Sequence, residues 1–379
     1  MWLTKKYRVI ARKHWSVMML SLGLPMAAAP ANQQAGRHPD ARFINQSMPA
    51  SHTVRLNGPR AATGLRLAVA SATIGVEDGS DELIFNRIDG VAITRAGNIV
   101  VMDAKANELR VFDRTGKFVE RIGRAGGGPG EFRTPAAMVI TPRDEILVVD
   151  LRRRLSTFVK GPQGYRIAHT VALPFGVQSM CYLGNELVVA SRSEKDSAVV
   201  AVLDSTGAVK RRFGRLYQSS NSYVNVTLNA GLVACDDASG LVFFTPKSMI
   251  GDIRAYRLDG TPVWRTTVAD LTANVLVEQP DGGIAVESRP NATGVHALSG
   301  FVMVPGVGLV TQYDFLSNAQ LRDRESSGVR STVVLNPNTG KAVVSDQTVP
   351  VLGAVGPRMA VATFDAPFPH VEIRAFSPR

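Results

Sequence analysis

The sequence predicts an all-β fold, a six-bladed β-propeller of four-stranded antiparallel blades. Short runs rich in Val, Ile, Leu and Phe recur from residue 85 onward, bounded by glycine turns, and they fall into groups of four. No window shows the period of a long amphipathic helix, which disfavours α/β and all-α folds. A β-sandwich is the competing architecture, but it does not predict repeating units of four strands.

The first 60 residues differ from the rest of the chain in charge. The sequence holds 43 Lys and Arg against 32 Asp and Glu, a net charge of +11. Residues 1–60 contain nine basic residues and one acidic residue, so the remainder carries only 34 − 31 = +3. Because this body lacks a clustered basic face, no nucleic-acid partner is expected.

The basic residues begin a segment typical of an export signal. They precede an apolar run over residues 15–24, and Ala27–Ala31 supplies small residues for cleavage after Ala31. We predict a signal peptide over 1–31 and a periplasmic or secreted protein, with an uncleaved anchor as the alternative. The apolar run is shorter than the about 20 residues of a spanning helix, so no transmembrane span is expected in the mature chain.

Residues 32–60 are polar and lack periodicity, which predicts a disordered tether before a propeller over 61–379. The last unit supplies only three strands, so the ring needs a strand from elsewhere. We predict that Leu65–Ala70 pairs with Val371–Phe376 as the outer strand of blade 6 and closes the ring.

The blades are predicted from strands and intervening turns. Blade 1 is Gly90–Ile93, Ile99–Asp103, Leu109–Phe112 and Phe118–Ile122; blade 2 is Ala137–Ile140, Ile146–Asp150, Leu155–Val159 and Tyr165–Leu173. Blade 3 is Val177–Tyr182, Glu186–Ala190, Ala198–Leu203 and Val209–Phe213; blade 4 is Val224–Ala234, Leu241–Phe244, Asp252–Leu258 and Pro262–Val268. An extra hairpin, Asn274–Glu278 with Ile284–Glu287, precedes blade 5, which is Gly300–Val304, Gly308–Asp314, Ser331–Leu335 and Ala342–Gln347. Blade 6 is Val351–Val355, Met359–Phe364 and Val371–Phe376. Blade limits after residue 216 remain open.

The stretch Gly123–Phe132 joins blade 1 to blade 2. Its glycines and Pro129 cannot continue a strand or helix. A phosphate-binding loop would need a helix after it, whereas a short strand follows, so we interpret the stretch as an inter-blade link.

Blade 1 and this link resemble NHL-type blades. The resemblance is carried by Gly97-Asn98-Ile99-Val100-Val101-Met102-Asp103, Leu109-Arg110-Val111-Phe112-Asp113 and Gly128-Pro129-Gly130-Glu131-Phe132. Residues 65–376 as a whole resemble exported bacterial six-bladed propellers related to NHL repeats. The resemblance implies a binding platform, since most NHL-type propellers bind partners and a minority are enzymes.

Asp103 and Asp150 end the second strands of successive blades, and Arg110 and Arg154 follow them. A polar ligand-binding rim is one interpretation. Repetition favours a structural role, in which each carboxylate accepts hydrogen bonds from turn backbone or arginine.

No catalytic residue, metal or cofactor is predicted. NHL-like amidating lyases hold zinc with histidines, but His169, His296 and His370 lack metal-ligand spacing. No Gly-x-Ser-x-Gly motif is present, and the adjacent acids Asp81-Glu82 and Asp236-Asp237 fall in turns.

We predict a ligand site at the channel mouth, formed by the first strand of each blade and the loop before it. The predicted ligand-binding residues are Arg87, Asp89, Arg133, Thr134, Phe175, Gln178, Tyr223 and Asn225. The function expected is a monomeric, non-enzymatic binding or scaffold module for a protein, peptide or glycan. The alternative is a hydrolase or lyase that uses the same pocket.

The two cysteines, Cys181 and Cys235, lie near the ends of the first strands of blades 3 and 4. Export would permit a bridge between them. We expect neighbouring inner strands to diverge, however, and a bridge needs Cα atoms within about 7 Å. Two buried thiols are therefore favoured over a disulfide.

Overall fold

Six antiparallel sheets make up most of the computed structural model. It describes residues 42–43, 47–192, 198–215, 217–218, 221–248, 250–273, 275–278, 284–287, 291–323 and 328–377. The signal peptide predicted over 1–31 lies outside the described residues. The first strand of every blade contacts the first strands of both neighbours, so the sheets form a closed ring around a central channel. The predicted six-bladed propeller is confirmed.

Four short strands precede the first complete blade, namely β1 (Arg42–Phe43), β2 (Ala50–Arg55), β3 (Arg60–Ala61) and β4 (Leu67–Ile74). Blade 1 contains β5 (Ile88–Ile93), β6 (Ile99–Asp103), β7 (Glu108–Phe112) and β8 (Phe118–Ile122). Blade 2 contains β9 (Pro135–Ile140), β10 (Ile146–Asp150), β11 (Arg154–Gly161) and β12 (Gly164–Ala172). Blade 3 contains β13 (Gly176–Leu183), β14 (Glu186–Arg192), β15 (Ala198–Leu203) and β16 (Val209–Arg215).

The link to blade 4 holds β17 (Tyr217–Gln218) and helix α1 (Ser222–Asn229). Blade 4 contains β18 (Gly231–Asp236), β19 (Leu241–Pro246), β20 (Asp252–Arg257) and β21 (Pro262–Ala269). The predicted extra hairpin follows as β22 (Val275–Glu278) and β23 (Ile284–Glu287). Blade 5 contains β24 (Gly294–Val304), β25 (Gly308–Ser317), helix α2 (Asn318–Asp323), β26 (Val329–Leu335) and β27 (Ala342–Ser345). Blade 6 contains β28 (Val351–Val355), β29 (Met359–Phe364) and β30 (His370–Phe376).

The two middle strands of blade 1 explain why the sequence shows continuous apolar runs. Every residue of β6 and β7 is buried, because a neighbouring blade covers each face of the sheet. The outer strand β8 alternates between exposed and partly or fully buried positions, since only one of its faces is well covered. The core is therefore divided into apolar layers between adjacent blades.

The N-terminal strands cover the outer edges of three successive blades. Strand β2 lies parallel to β21 of blade 4, β3 lies parallel to β27 of blade 5, and β4 lies antiparallel to β30 of blade 6. We call residues 50–74 the N-terminal strap. Leu56 and Leu65, which connect its strands, are 4% and 0% exposed and pack into the core. The strap protects sheet edges that would otherwise be open to pairing with other chains.

The strap changes two expectations from the sequence. The tether predicted over 32–60 is wrong for its second half, because Ala50–Arg55 forms a fifth strand on blade 4. Its six residues alternate between partly buried and exposed positions, as in an edge strand with one face covered. Because most of these residues are polar, the sequence shows no clear apolar alternation there. The strand predicted at Leu65–Ala70 begins two residues later and extends to Ile74, where it pairs with Val371.

The first strand of blade 4 was also placed wrongly. Residues 224–234 were predicted as one strand, but the chain forms α1 and then β18. Asn221 caps the helix by accepting hydrogen bonds from the backbone N–H groups of Tyr223 and Val224. Val224 and Leu228 are four residues apart and both buried, so one helical face packs inward.

Cys181 and Cys235 form a disulfide, so the prediction of two free thiols is wrong. Their Cα atoms lie 5.7 Å apart because β13 and β18 run close together instead of diverging. Ser179 holds the same two strands, donating to the Val233 carbonyl at 3.2 Å and accepting from the Val233 N–H at 3.2 Å. The Gly184 N–H donates to Asp237 Oδ1 at 2.7 Å nearby. Blades 3 and 4 are therefore joined covalently at the channel.

Candidate functional site

An aspartate lies at or near the end of the second strand in four blades. Asp103 and Asp150 end β6 and β10, Asp314 lies three residues before the end of β25, and Asp365 directly follows β29. Second strands end on the side where the links between blades also lie, which we call the top face. The four carboxylates differ in their hydrogen-bond partners, and that difference indicates where the candidate site lies.

Asp103 has a structural role in blade 1. Its carboxylate is fully buried and accepts hydrogen bonds from the backbone N–H groups of Asn86 and Ala106, at 2.7 and 3.0 Å. Arg110 lies beside it, paired with Glu108 at 2.7 Å and donating to the carbonyl of Ile84 at 2.7 Å. These bonds fix the loop that leads into β5.

Asp150 has the same role in blade 2. It accepts from the Arg152 N–H at 2.9 Å and forms two hydrogen bonds with the Arg154 guanidinium, at 3.0 and 2.8 Å. Arg154 in turn donates to the carbonyls of Gly127 and Glu131, at 2.7 and 2.9 Å. The predicted structural role of these carboxylates agrees with these contacts.

The link from Gly123 to Phe132 forms a closed loop between the two blades. The Phe132 N–H donates to the Arg124 carbonyl at 2.8 Å, and Glu131 accepts from the Gly128 N–H at 2.8 Å. Gly123 has φ of 79°, and a Cβ there would lie 2.2 Å from the Phe132 ring. Only glycine fits this position without displacing the ring.

Asp314 and Asp365 lie near each other in blades 5 and 6, and blade 6 adjoins blade 1 in the ring. Asp314 is bonded twice to Arg330, at 2.7 and 2.8 Å. Asp365 makes no side-chain hydrogen bond or ion pair with any described residue. It lies three residues beyond Ala362, which holds in blade 6 the place beside the register shift that Asp103 and Asp150 hold in blades 1 and 2.

Two carboxyl groups at this place have raised pKa values. Asp365 is an exposed residue, but nearby protein atoms partly desolvate its carboxyl group and raise its pKa. The charge of Asp89 raises the pKa further, and Arg330 opposes this. Burial also raises the pKa of Asp89, despite its 2.6 Å ion pair with Arg87. Neighbouring carboxylates that resist ionisation are typical of functional sites, although structural networks produce the same effect. Asp89, Asp314, Asp365, Arg87 and Arg330 form what we call the mouth cluster.

The sequence identified two of the five residues of the mouth cluster. Arg87 and Asp89 were among the predicted site residues, whereas Asp314, Arg330 and Asp365 were missed. The place of Asp314 near the end of β25 and of Asp365 directly after β29 is the signal that could have found both aspartates. Arg330 offered no comparable signal, because helix α2 lies between β25 and the strand that contains Arg330.

The other predicted site residues differ in exposure, and some of them are buried in the core. Arg133 is exposed beside the mouth, and Thr134 adopts φ of 59°, which is rare for a β-branched residue. Tyr223 is 44% exposed on α1. Phe175 is 2% exposed in the core under the Arg212 guanidinium, and Asn225 is 5% exposed within α1. Phe175 and Asn225 therefore do not line the mouth, because packing in the core and the helical turn direct them inward.

Gln178 and Ser299 lie in the inner strands of blades 3 and 5. Each lies at a break in strand register, as does Asp89 in blade 1. Such bulges re-aim a side chain and are frequent beside functional sites. Gln178 Oε1 and Ser299 Oγ are buried without a hydrogen-bond partner among the described residues. The inner strands thus present unsatisfied polar groups.

The three histidines lie apart. His169 is in outer strand β12 against Thr157, His296 accepts from the Thr272 N–H at 3.0 Å, and His370 stacks on Phe364. Within the described part of the chain, no group of three His, Cys, Asp or Glu residues could hold a metal ion. No helix in those same ranges is both long and apolar enough to cross a membrane.

Blades 4 and 5 carry every insertion into the repeat. Helix α1 and the hairpin β22–β23 lie in the links before blades 4 and 5, and α2 lies between β25 and β26. Strand β1 pairs with β17 in the first of these links. All these connections leave the sheets at the top face, so the insertions share the top face of blades 4 and 5.

Comparisons with known proteins agree with this fold. The family model DUF5128, described as a 6-bladed beta-propeller, matches residues 78–199. A DUF4221 family member from Bacteroides vulgatus is 10% identical, with a TM-score of 0.55 and coverage of 83% of this chain and 98% of its own. A Bacteroides fragilis protein described as exported is 14% identical, with a TM-score of 0.52 and coverage of 83% and 88%.

A gluconolactonase from Xanthomonas campestris is 12% identical, with a TM-score of 0.50 and coverage of 90% of this chain and 98% of its own. No curated protein matches the sequence. At such identities the structural similarities establish fold alone. The chain is therefore a six-bladed β-propeller protein, similar in fold to bacterial propellers that include both an exported protein and an enzyme.

Proposed function

We propose that the chain is an exported binding module that holds a protein, peptide or glycan partner at its top face. The observation that carries the proposal is the placement of α1, α2 and the hairpin β22–β23. All of them rise from the top face of blades 4 and 5. Binding residues concentrate on loops that a rigid scaffold positions, and a propeller ring is such a scaffold.

The chemistry of the mouth suits a polar partner. Arg87, Arg133 and Asp89 offer charged groups, Gln178 offers a buried unsatisfied oxygen, and Tyr223 offers an exposed aromatic ring. Such sets combine orienting polar contacts with an aromatic anchor. Phe175 and Asn225 are not part of the proposed site, since both are buried.

Export is proposed on the predicted signal peptide, and the disulfide supports it. Structural disulfides persist in oxidising compartments and are rare in the cytosol. The bond between Cys181 and Cys235 is therefore what an exported chain is expected to form. The related fold of an exported Bacteroides fragilis protein agrees with this location.

Affinity capture from the envelope of the source cell tests the binding role. The bait is the chain from residue 32 onward, compared with the top-face variant Arg133→Ala/Tyr223→Ala. The matched control, Arg143→Ala/Val119→Ala, also removes one arginine and one exposed apolar side chain, but from the opposite face and an outer edge. We expect one partner retained by wild type and control and lost by the top-face variant. Equal retention by all three would contradict the top-face site.

A second function is favoured by the mouth cluster. Asp89 and Asp365 are neighbouring carboxyl groups with raised pKa values, as expected of groups that transfer protons in a hydrolase or lyase. Turnover of a panel of lactones, esters and glycosides tests it. Activity abolished by Asp365→Asn but retained in Asp144→Asn, a turn residue of the opposite face, would establish an enzyme. No turnover by the wild type across the panel would leave binding as the function supported.

A further inference from the structure

A second cavity lies outside the channel, at the outer junction of blades 5 and 6. Its volume is about 290 Å³, close to the lower limit for small-molecule pockets. Three distant parts of the chain form it, namely the N-terminal strap, the link after β27 and the end of β30. The lining residues are Arg66, Leu67, Gln347, Thr348, Val349, Pro350, Arg374 and Ser377.

One of the two arginines is held in place by the fold. Arg374 Nε donates to Glu372 Oε2 at 2.7 Å, and Nη1 donates to the Ala68 carbonyl at 3.1 Å. These contacts orient the guanidinium before any ligand arrives, which reduces the entropy lost on binding. Glu372 neutralises part of its charge, so Arg374 alone would attract an anion weakly.

Arg66 supplies charge that has no partner. Its backbone carbonyl accepts from the Ser377 N–H at 3.0 Å, which fixes the residue at the cavity. Its side chain is exposed and forms no hydrogen bond or ion pair with a described residue. The remaining polar lining, Gln347, Thr348 and Ser377, is neutral and offers amide and hydroxyl groups.

We propose that this cavity binds a small hydroxylated carboxylate of sugar-acid size. Arg66 and Arg374 pair with the carboxylate, since guanidinium groups match that planar anion with two parallel hydrogen bonds. Gln347, Thr348 and Ser377 bond the hydroxyl groups of the ligand. Because the ligand contacts the strap, a link and the last strand together, its binding stabilises the closure of the ring.

Titration calorimetry and thermal unfolding of the chain from residue 32 onward test the proposal, with D-glucuronate as the probe. D-glucose is the neutral analogue, and inorganic phosphate is the anion without hydroxylated carbon. We expect D-glucuronate to raise the melting temperature in a concentration-dependent way, and D-glucose to have no effect. No binding of D-glucuronate, or an equal effect of phosphate, would overturn the proposal.

Variants place the binding at this cavity. Arg66→Gln should weaken the D-glucuronate Kd about tenfold or more, as expected for a lost charged hydrogen bond, and Arg66→Lys should weaken it less. Arg358→Gln removes the same charge from an exposed turn of blade 6 and should bind like wild type. Equal affinity in Arg66→Gln and wild type would exclude the cavity. The Arg133→Ala/Tyr223→Ala variant should still bind D-glucuronate, so this test is independent of the top-face proposal.

Discussion

Blades 1–3 and blades 4–6 differ in the contacts that stabilise them. Blades 1 and 2 are regular, with a glycine-rich link and aspartate–arginine contacts that fix the loops leading into each sheet. The outer strands β8, β12 and β16 have no further strand beside them within the described residues. Blades 4–6 lack the glycine-rich link, carry the insertions, and receive the N-terminal strap along their outer edges.

This difference indicates where repeat regularity is needed. A regular blade is stabilised by contacts within its own sequence. The residues that match the family model, 78–199, lie in this regular half. An irregular blade depends on strands supplied from far along the chain. The half that is held from outside is also the half that carries the insertions.

Removing the last strand of the strap should have the largest effect of any change considered. Deleting residues 61–75 removes β4, leaving β30 with an open edge and the core without Leu65 and Ile74. We expect loss of the cooperative unfolding transition and aggregation, because closure is what removes edges from a propeller. Circular dichroism melting and size-exclusion chromatography measure both.

Deleting residues 32–59 should have an intermediate effect. It removes β2 from blade 4 and buried Leu56, whose burial alone is worth about 1.5–3 kcal/mol. Deleting only 32–46 keeps both and should leave the melting temperature close to that of wild type. An unchanged melting temperature in the 32–59 deletion would show that β2 contributes no stability.

The arginines of blades 1 and 5 allow the two halves to be compared directly. Arg110→Leu leaves Glu108 and the carbonyls of Glu82 and Ile84 without a buried cation, and should cost about 3–5 kcal/mol of unfolding free energy. Arg330→Leu breaks a more accessible pair with Asp314 and should cost less. Urea denaturation of both variants gives the comparison. Equal costs would contradict the view that blade 1 depends more on its own contacts.

The disulfide at the boundary between the halves should contribute next. The bond encloses 54 residues, for which the chain-entropy treatment gives about 4 kcal/mol. Cys181→Ser/Cys235→Ser should lower the melting temperature, and reduction should lower that of wild type but not of the double variant. Thiol titration of unreduced, denatured wild type should find no reactive thiols. Two reactive thiols would contradict the bridge.

Repeat strands were predictable from sequence in both halves, and Val351–Val355 and Met359–Phe364 of blade 6 were predicted with the bounds observed. The start of blade 4 and the first part of the strap were not. Ile99–Asp103, Ile146–Asp150 and Ala198–Leu203 were predicted with the bounds observed, because local strands between tight turns leave a local pattern. Strand β2 of the strap left none, since Ala50–Arg55 pairs with a strand more than 200 residues away and its sequence is polar. Residues 224–229 have β-branched side chains, but the Asn221 cap and tertiary packing produce a helix.

The candidate site was partly predictable for the same reason. Arg87 and Asp89 follow from their place before and within a first strand. Asp365 required knowing that Asp103, Asp150 and Asp314 are bonded to backbone or arginine partners, which only the folded chain reveals. The disulfide was missed because sequence does not give the separation of neighbouring inner strands.

The smallest expected effect is on the melting temperature of variants of two aspartates, one from each half. The pKa values of these two aspartates are shifted in opposite directions. Asp113 lies in a blade 1 turn, where hydrogen bonds from Thr115 and Lys117 lower its pKa below 3.8. Its ionised form stabilises the fold above the unfolded-state pKa, and this contribution is lost as the pH falls through the folded-state pKa. Asp113→Asn should therefore lower the melting temperature slightly at neutral pH, and less so under strongly acidic conditions. Thermal melts across the pH range measure the difference.

Asp365→Asn should do the reverse. Because limited hydration and the charge of Asp89 raise the pKa of Asp365 above 3.8, its ionised form destabilises the fold at neutral pH. The variant should melt slightly higher than wild type at pH 7. The difference should fade as the pH falls through the raised folded-state pKa, and vanish below 3.8, where Asp365 is protonated in both states. A lower melting temperature for Asp365→Asn at pH 7 would mean that the carboxylate has a stabilising partner. Asp365 would then be a fourth structural aspartate, and the mouth cluster would lose its best functional candidate.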